Sequence, residues 1–344
     1  MLLTAYRPRP ALVTKTTFVA QPRFSVIDAH NHLAAPFGGG WDQRPISQLL
    51  DVLDAARVRR YVDLDGGWGE DILHRHLDTL KAAAPERFSM FGGVDWSAWP
   101  EQGDHFGEWA AGRLRAQAAR GAEGLKVWKG FGLSVRDQHA ALVSVDDARL
   151  DPIWDTAAGL RLPVLIHVAD PVAFFDPVDA RNERWEELHA HPDWQFPSPP
   201  HPAFASIMTA LSSLVARHPR TTFIGAHVGC YAENLGWVAE VLDRCPNFYV
   251  DFAARIGELG RQPYAARRFF IEYADRIVFG TDVGPDLDTY RIYYRFLETD
   301  DEYFRYDTGE VPAQGRWNIH GLYLPEAVLA KVYAQNAERI LLKG

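Results

Sequence analysis

Short apolar runs rich in β-branched residues recur along the chain, and each is followed by a longer stretch with helical periodicity. The eight runs predict strands at 24–30, 59–65, 87–96, 122–129, 162–170, 221–229, 247–253 and 275–284. The stretches between them predict helices near 46–57, 70–84, 106–120, 150–160, 203–217, 232–244, 263–273 and 325–340. The pattern therefore predicts eight strand-then-helix units.

Eight such units favour parallel strands joined by right-handed crossovers. They fit an α/β fold in which one (β/α)8 TIM barrel holds all the strands in a single domain, 1–344. An open doubly wound sheet is the alternative, but it usually has fewer units and a glycine-rich phosphate loop after its first strand. The glycines at 38–40 lack the GxGxxG spacing of such a loop. We therefore expect the closed barrel.

Three stretches are longer than a barrel requires. Residues 1–22 precede the first strand, and we expect an N-terminal extension outside the barrel, with a small β element of its own. Residues 170–202 and 284–323 are insertions after strands 5 and 8, so both should lie over the face where the strands end. Long loops there usually shape a substrate pocket, although they could equally be covering structure. The segment 182–188 predicts the start of a helix across the mouth.

Composition narrows the classes of partner. The 344 residues carry a net charge of −9 and no long basic tract, which argues against nucleic acid and anionic membranes as partners. The two cysteines, Cys230 and Cys245, are not in a CxxC pair, so neither a disulfide scaffold nor a thiolate zinc site is predicted. No apolar run approaches the roughly 18 residues of a membrane span, and the N-terminus lacks the apolar core of a signal peptide. We expect a cytoplasmic location.

Polar residues with metal-binding side chains collect at the ends of the apolar runs. Of 13 histidines, His30, His32, His167 and His227 lie at or near strand ends, and Asp282 ends the eighth run. Strand ends converge on one mouth in a barrel, and the spacing of His30 and His32 places both on one face. Singly, His167 could be a hydrogen-bonded core histidine and Asp282 a cap. A metal ion would satisfy all these buried polar groups together.

These motifs resemble the amidohydrolase superfamily, in particular the amidohydrolase-related branch of metal-dependent hydrolases and non-oxidative decarboxylases. The resemblance rests on "VIDAHNHL", "LDPIWDTAAGLRLPVLIHVAD", "HPRTTFIGAHVG", "RIVFGTDVGPD" and "YAQNAERIL". It implies one divalent metal held by His30, His32, His167 and Asp282, with His227 contacting the substrate. Imidazoles with a carboxylate suit Zn²⁺, with Mn²⁺ or Fe²⁺ as alternatives.

Four residues are expected to bind the substrate: Lys126, Arg255, Trp128 and Trp317. Lys126, in the fourth strand, matches the carbamylated lysine that bridges two metals in binuclear superfamily members. It could instead be a cationic anchor for a carboxylate or an ion-pair partner inside the barrel, and we favour that interpretation. The planar guanidinium of Arg255 suits a carboxylate or several hydroxyls, with a salt bridge to Asp251 or Glu258 as the alternative. The two tryptophans could line the pocket or simply pack.

The ligand set supports two reactions of a small, possibly acidic substrate. In hydrolysis, which we favour, an activated water attacks an amide, lactone or related carbonyl, His227 helps to stabilise the oxyanion, and Asp282 moves the proton. In non-oxidative decarboxylation, protonated Asp282 or His227 delivers a proton to carbon. A non-catalytic metal-binding protein is the remaining alternative. The resemblance also implies a homodimer as an option.

Overall fold

The chain forms a parallel eight-stranded barrel. The computed structural model describes residues 5, 6 and 8–341. All strands lie in one sheet whose order follows the chain, and every paired neighbour is parallel. The strands are β1 Val26–Asn31, β2 Val58–Asp63, β3 Phe88–Gly92, β4 Gly124–Val127, β5 Val164–Ile166, β6 Phe223–Gly225, β7 Phe248–Asp251 and β8 Ile277–Val278. The predicted TIM barrel is confirmed.

Two backbone hydrogen bonds join the last strand region to the first. The Ala29 N–H donates to the Phe279 carbonyl at 2.8 Å, and the Asp282 N–H donates to the His30 carbonyl at 2.8 Å. We call this junction the β1–β8 seam. The second bond matters for the site, because it connects the backbone of two predicted metal ligands directly.

Helices follow the strands at the predicted places. They are Ile46–Ala55, Glu70–His76, Phe106–Arg120, Asp151–Leu160, Phe204–Arg217, Leu235–Arg244, Pro263–Glu272 and Glu326–Ala330, the last continuing through Lys331–Gln335 into Asn336–Leu341. Their buried positions recur three or four residues apart, as in Val238, Val241 and Leu242, so each lays an apolar stripe on the sheet. Among these described helices, none combines the length and apolarity needed to cross a membrane.

Strands β6 and β8 are shorter than the apolar runs predicted. After β6 the chain enters a left-handed turn in which four consecutive residues have positive φ: His227 at 58°, Val228 at 60°, Gly229 at 65° and Cys230 at 63°. This conformation costs about 1–2 kcal/mol for each non-glycine residue. Such strain persists only where surrounding structure enforces it, typically at functional sites. Hydrophobic periodicity carries no sign of the turn.

The N-terminal segment differs from expectation. Among the described residues 5, 6 and 8–22 there is no strand, so the predicted small β element is not found there; residues 1–4 and 7 of the predicted segment lie outside the described residues. The segment is held by side chains of the insertion after β8 instead of a backbone ladder. Lys15 pairs with Asp300, and the backbone N–H and hydroxyl of Thr17 both donate to the Asp301 carboxylate, at 2.6 and 2.7 Å.

Both insertions contain helices. The one after β5 holds Trp185–Ala190, where a helix was predicted. The one after β8 holds Leu287–Glu298, which was not predicted; its N-terminus is capped by the Asp286 carboxylate, which accepts from the Thr289 N–H at 2.7 Å. Its buried face is largely tyrosine rather than aliphatic, and the hydroxyls of these tyrosines become important below.

Candidate active site

Three of the predicted metal ligands meet where β1 and β8 end. His30 lies in β1, His32 directly follows it, and Asp282 follows β8. The Oδ1 atom of Asp282 lies 3.4 Å from His32 Nε2 and 3.6 Å from His30 Nε2. One ligand atom from each residue falls within 4.8 Å of the other two, close enough to hold a single ion. Both imidazoles are almost fully buried, whereas 23% of the Asp282 side chain is exposed.

Buried carboxylates orient the first two histidines. His30 Nδ1 lies 2.9 Å from Asp251 Oδ2, and His32 Nδ1 lies 2.7 Å from Asp65 Oδ1. An ionised carboxylate can only accept, so each Nδ1 carries the proton and each Nε2 keeps a lone pair directed towards Asp282. Burial, and then the charge of Lys126, hold the pKa of His30 well below its usual value. His30 is therefore a neutral imidazole, as metal ligation requires.

Asp65 and Asp251 are residues of this cluster that the sequence interpretation did not include in the site. Burial disfavours the charge of Asp65, but bonds from His32 and from the Leu33 and Ala34 amides, at 2.8 and 2.7 Å, keep its pKa below the usual range. Asp251 is the last residue of β7, and Asp65 lies two residues beyond β2. The strand-end rule that selected the histidines, applied to every strand, would have found both carboxylates.

His167 lies beside the three-residue cluster and is not part of that 4.8 Å group. It follows β5, and its ring centroid is 4.4 Å from that of His227. Its Nε2 lies 3.1 Å from the Ala169 carbonyl and 3.5 Å from Asp170 Oδ1, while its buried Nδ1 has no hydrogen-bond partner. A buried polar atom without a partner costs about 1–3 kcal/mol. A metal ion is one partner that would satisfy it.

The donor set as a whole fits a divalent metal ion. Neutral imidazole nitrogens and a carboxylate are suitable ligands for Zn²⁺, Mn²⁺ or Fe²⁺. The outer carboxylates on His30 and His32 are the kind of support that metal-bound histidines have. His30, His32 and Asp282 would hold the ion, and the unpartnered nitrogen of His167 makes it the fourth candidate; the four-residue ligand set stays a prediction.

His227 faces the same carboxylate from the other side. Its Nδ1 lies 2.8 Å from the Ala253 carbonyl, and its Nε2 lies 3.6 Å from Asp282 Oδ2. A carbonyl only accepts, so Nδ1 carries the proton and Nε2 has a free lone pair. Burial, and then the charge of Arg255, hold the pKa of His227 well below its usual value. Asp282 thus offers one oxygen to the metal histidines and the other to a neutral His227.

Two buried cations stand close to this cluster. Lys126 Nζ lies 3.1 Å from His30 Nε2, and burial lowers its pKa to about 8. Arg255 is 7% exposed and donates to the Ala254 carbonyl at 2.9 Å. Among the described residues, neither cation has a carboxylate within salt-bridge distance, so the expected alternatives of a pair with Asp251 or Glu258 are not formed.

Aromatic side chains cover one side of His32. Phe37 and Trp68 stack with ring centroids 5.2 Å apart, and Trp128 lies 4.1 Å from Trp68. We call these three residues the aromatic shelf; all three rings lie 5.9–6.4 Å from the His32 ring. Trp128 thus lies beside His32, and its predicted contact with substrate stays a prediction. Trp317 instead packs under the Arg261 guanidinium, 4.0 Å from its ring, where the N-terminal segment meets the insertion after β8.

Sequence comparison decides the family. A family model described as amidohydrolase matches residues 27–342, from β1 through the last helix. The chain belongs to the amidohydrolase family. The predicted superfamily is thus confirmed, and with it a metal-dependent enzyme of that superfamily. No curated protein matches this amidohydrolase in sequence.

Solved structures share the barrel of this amidohydrolase. A 2,6-dihydroxybenzoate decarboxylase from Rhizobium is 18% identical, with a TM-score of 0.57 over 92% of this chain and 98% of that one. A dihydroxybenzoic acid decarboxylase from Polaromonas sp. JS666, with bound manganese and the inhibitor 2-nitroresorcinol, is 18% identical, with a TM-score of 0.56 over 92% and 96%. A 5-carboxyvanillate decarboxylase from Sphingomonas paucimobilis is 17% identical, with a TM-score of 0.50 over 87% and 83%.

Proposed function

We propose that this amidohydrolase is a metal-dependent decarboxylase of a small aromatic carboxylic acid. The observation that carries the proposal is the hydrogen bond from His227 Nδ1 to the Ala253 carbonyl, 2.8 Å long. It leaves Nε2, the nitrogen facing Asp282, without a proton. In the hydrolysis favoured from sequence, His227 would have to donate a proton to an oxyanion, and a neutral imidazole in this tautomer has none to give there. In decarboxylation the same lone pair accepts a hydrogen bond from a substrate hydroxyl.

Charge around the cluster supports an anionic substrate. Lys126 and Arg255 are buried cations without a carboxylate partner among the described residues, and buried charges are normally paired. A substrate carboxylate would supply the missing negative charge. The aromatic shelf beside His32 offers flat apolar surface to a planar ring. The names of the similar decarboxylases, which act on dihydroxybenzoate and carboxyvanillate, agree with this substrate class.

The residues suggest a division of labour in the reaction. A divalent ion held by His30, His32 and Asp282 would supply electrostatic attraction for an anionic substrate. The Asp282 oxygen that faces His227 lies 3.6 Å from His227 Nε2. In the proposed reaction this oxygen gives a proton to the ring carbon that bears the carboxylate, and a π electron pair of the ring forms the new C–H bond. The bond to the carboxyl carbon then breaks, its electron pair restores the aromatic ring, and CO₂ leaves. Asp282 regains its proton from solvent.

Hydrolysis is the second candidate, because a metal site of imidazoles and a carboxylate also suits water activation.

Decarboxylation and hydrolysis can be distinguished by their products. Metal-free protein should be loaded with Mn²⁺ or Zn²⁺ and incubated in D₂O with 2,6-dihydroxybenzoate, 5-carboxyvanillate and related hydroxybenzoic acids, and in parallel with matched esters, amides and lactones. We expect CO₂ release with deuterium on the former carboxyl-bearing carbon. Turnover of the esters, amides or lactones without any CO₂ from the acids would contradict the proposal.

Arg255 allows a matched test of substrate charge. Replacing Arg255 by Met should raise KM for the acid about 10-fold or more, because a desolvated charge partner is lost. Arg261 lies at the other end of the short helix Ile256–Arg261, pairs with Glu183 and covers Trp317. Arg261→Met should leave KM for the acid unchanged. Equal effects of the two substitutions would argue against a carboxylate at Arg255.

A further inference from the structure

The carboxylate of Asp282 is the least enclosed of the metal-ligand candidates, yet it must stand within bonding reach of the same ion as His30 and His32. Its backbone adopts a left-handed conformation, with φ at 55°. Its own N–H is bound to the His30 carbonyl. The residue that precedes it in the chain, Thr281, is 1% exposed and hydrogen-bonded on both sides.

The Asp28 carboxylate is hydrogen-bonded to the amide and the hydroxyl of Thr281. The Thr281 N–H donates to Asp28 Oδ1 at 3.2 Å, and its hydroxyl lies 3.0 Å from Asp28 Oδ2. The Tyr290 hydroxyl donates to the same Oδ2 at 2.8 Å. Asp28 is fully buried in β1, so its position depends on these donors. Tyr290 is therefore connected to Asp282 through Asp28 and Thr281.

The Thr281 carbonyl is hydrogen-bonded to Tyr293. The Tyr293 hydroxyl donates to the Thr281 carbonyl at 3.2 Å and accepts the Ala254 N–H at 2.9 Å. Ala254 also donates to the Thr281 carbonyl, at 3.1 Å. Both tyrosines lie on the inserted helix Leu287–Glu298 and are at most 3% exposed.

We infer that Tyr290 and Tyr293 are positioning residues for Asp282. Because both its amide and its carbonyl are hydrogen-bonded, Thr281 fixes the left-handed backbone of Asp282. This orients the Asp282 carboxylate towards His30 and His32. The helix inserted after β8 thus takes part in building the metal site, although the hydroxyls of Tyr290 and Tyr293 bond Asp28, Thr281 and Ala254 rather than a proposed ligand. The inference rests on the metal site of the proposed function.

The same helix provides a matched control. Tyr294 is equally buried, but its hydroxyl donates to the Ala56 carbonyl at 2.7 Å, away from the β1–β8 seam. Tyr290→Phe, Tyr293→Phe and Tyr294→Phe each delete one buried hydroxyl from one helix. General destabilisation should affect all three alike, whereas positioning of Asp282 should involve only the first two.

The measurement is the affinity of metal-free protein for Mn²⁺, titrated against a chelating indicator dye without substrate. Loss of an outer-shell partner typically weakens a metal site about 10- to 100-fold, and we expect this range for Tyr290→Phe and Tyr293→Phe. Tyr294→Phe should stay within about twofold of the wild type. Equal Mn²⁺ affinity in all three variants would overturn the inference.

A second pair covers the case in which a tyrosine variant fails to fold. Thr281→Val removes the hydroxyl that bonds Asp28, and Thr221→Val removes a buried hydroxyl that bonds the Trp154 carbonyl at 3.0 Å. Only Thr281→Val should weaken Mn²⁺ binding, and equal affinities of the two threonine variants would again overturn the inference.

Asp282→Ala distinguishes failure of the metal site from failure of the positioning role. If that variant binds Mn²⁺ as tightly as the wild type, the metal site itself is wrong; if it loses Mn²⁺ while the tyrosine and threonine variants keep it, only the positioning role is wrong.

Discussion

At the scale of single residues, the partner of one ring nitrogen decides what a histidine can do. Asp251 and Asp65 leave lone pairs on His30 and His32 for a metal, and the Ala253 carbonyl leaves one on His227. The sequence predicted which histidines would gather, because each follows an apolar run. It could not predict their tautomers, since the deciding acceptors come from other strands or from the backbone.

Replacing His227 by Asn tests the separation of metal binding from chemistry. Asn tolerates the left-handed backbone at this position better than most residues. We expect metal content to remain near that of the wild type and kcat to fall by about 10²- to 10⁴-fold, the range for a lost proton-transfer or hydrogen-bonding group. Asp282→Asn should lose both metal and activity. Metal analysis and kinetics on the two variants would contradict the assignment if the losses were exchanged.

Burial of His227 makes the free energy of unfolding depend on pH. The pKa of His227 is depressed in the folded protein, so on acidification the unfolded chain binds a proton there that the folded chain does not. Its contribution is present above about pH 6.5 and is lost as pH falls, by up to about 1.4 kcal/mol per pH unit. In urea titrations of metal-free protein between about pH 5 and about pH 8, the wild type should lose more stability towards acid than His227→Asn. Parallel pH curves would contradict this.

At the scale of elements, amphipathic periodicity located all eight barrel helices, because burial of one face dominates their formation. It missed the helix Leu287–Glu298, whose buried face carries tyrosines such as Tyr290 and Tyr294 that do not read as apolar core. It also overextended β6, where the left-handed turn begins at His227. Element boundaries set by backbone strain leave little mark on a hydrophobic pattern.

Another left-handed residue, Arg161, offers a stability test away from the site. Arg161 is exposed and ends the helix Asp151–Leu160 with φ at 55° and ψ at 37°, a position that favours glycine. Arg161→Gly should raise the free energy of unfolding by about 0.5–1 kcal/mol, because relief of left-handed strain outweighs the added flexibility of the unfolded chain. Denaturant titration measures the gain. Arg161→Ala, which keeps the strain, is the control and should show none.

At the scale of the whole molecule, the number of strand-then-helix units predicted the barrel. Eight parallel units of this kind commonly close into a (β/α)8 barrel, in which the strand ends converge on one mouth. The N-terminal segment did not follow, because it is held by contacts such as that between Thr17 and Asp301, distant in sequence. The cytoplasmic location and the homodimer stay predictions.

Metal should stabilise the entire barrel, because the proposed ligands come from the first, fifth and eighth strand regions. At a free metal concentration 100 times Kd, binding contributes about 2.7 kcal/mol to the free energy of unfolding. We expect Mn²⁺ or Zn²⁺ to raise Tm of the wild type and a chelator to reverse the rise. Asp282→Asn should show a much smaller shift; an equal shift in that variant would place the stabilising ion elsewhere.

The β1–β8 seam also has a consequence for how the protein is made. Asn31 leaves the ribosome 250 positions before Thr281, whose hydroxyl lies 3.1 Å from the Asn31 side chain in the folded protein. Closing a loop of that length costs about 5 kcal/mol of chain entropy. Until the eighth strand is synthesised, the edge of β1 that does not face β2 is unpaired, and the proposed metal ligands His30, in β1, and His32, which follows it, lack Asp282. Such an edge is open to aggregation, and the two histidines are open to ions from the wrong source. Nascent chains and truncated products of this protein should therefore depend on chaperones in a way that the finished barrel does not.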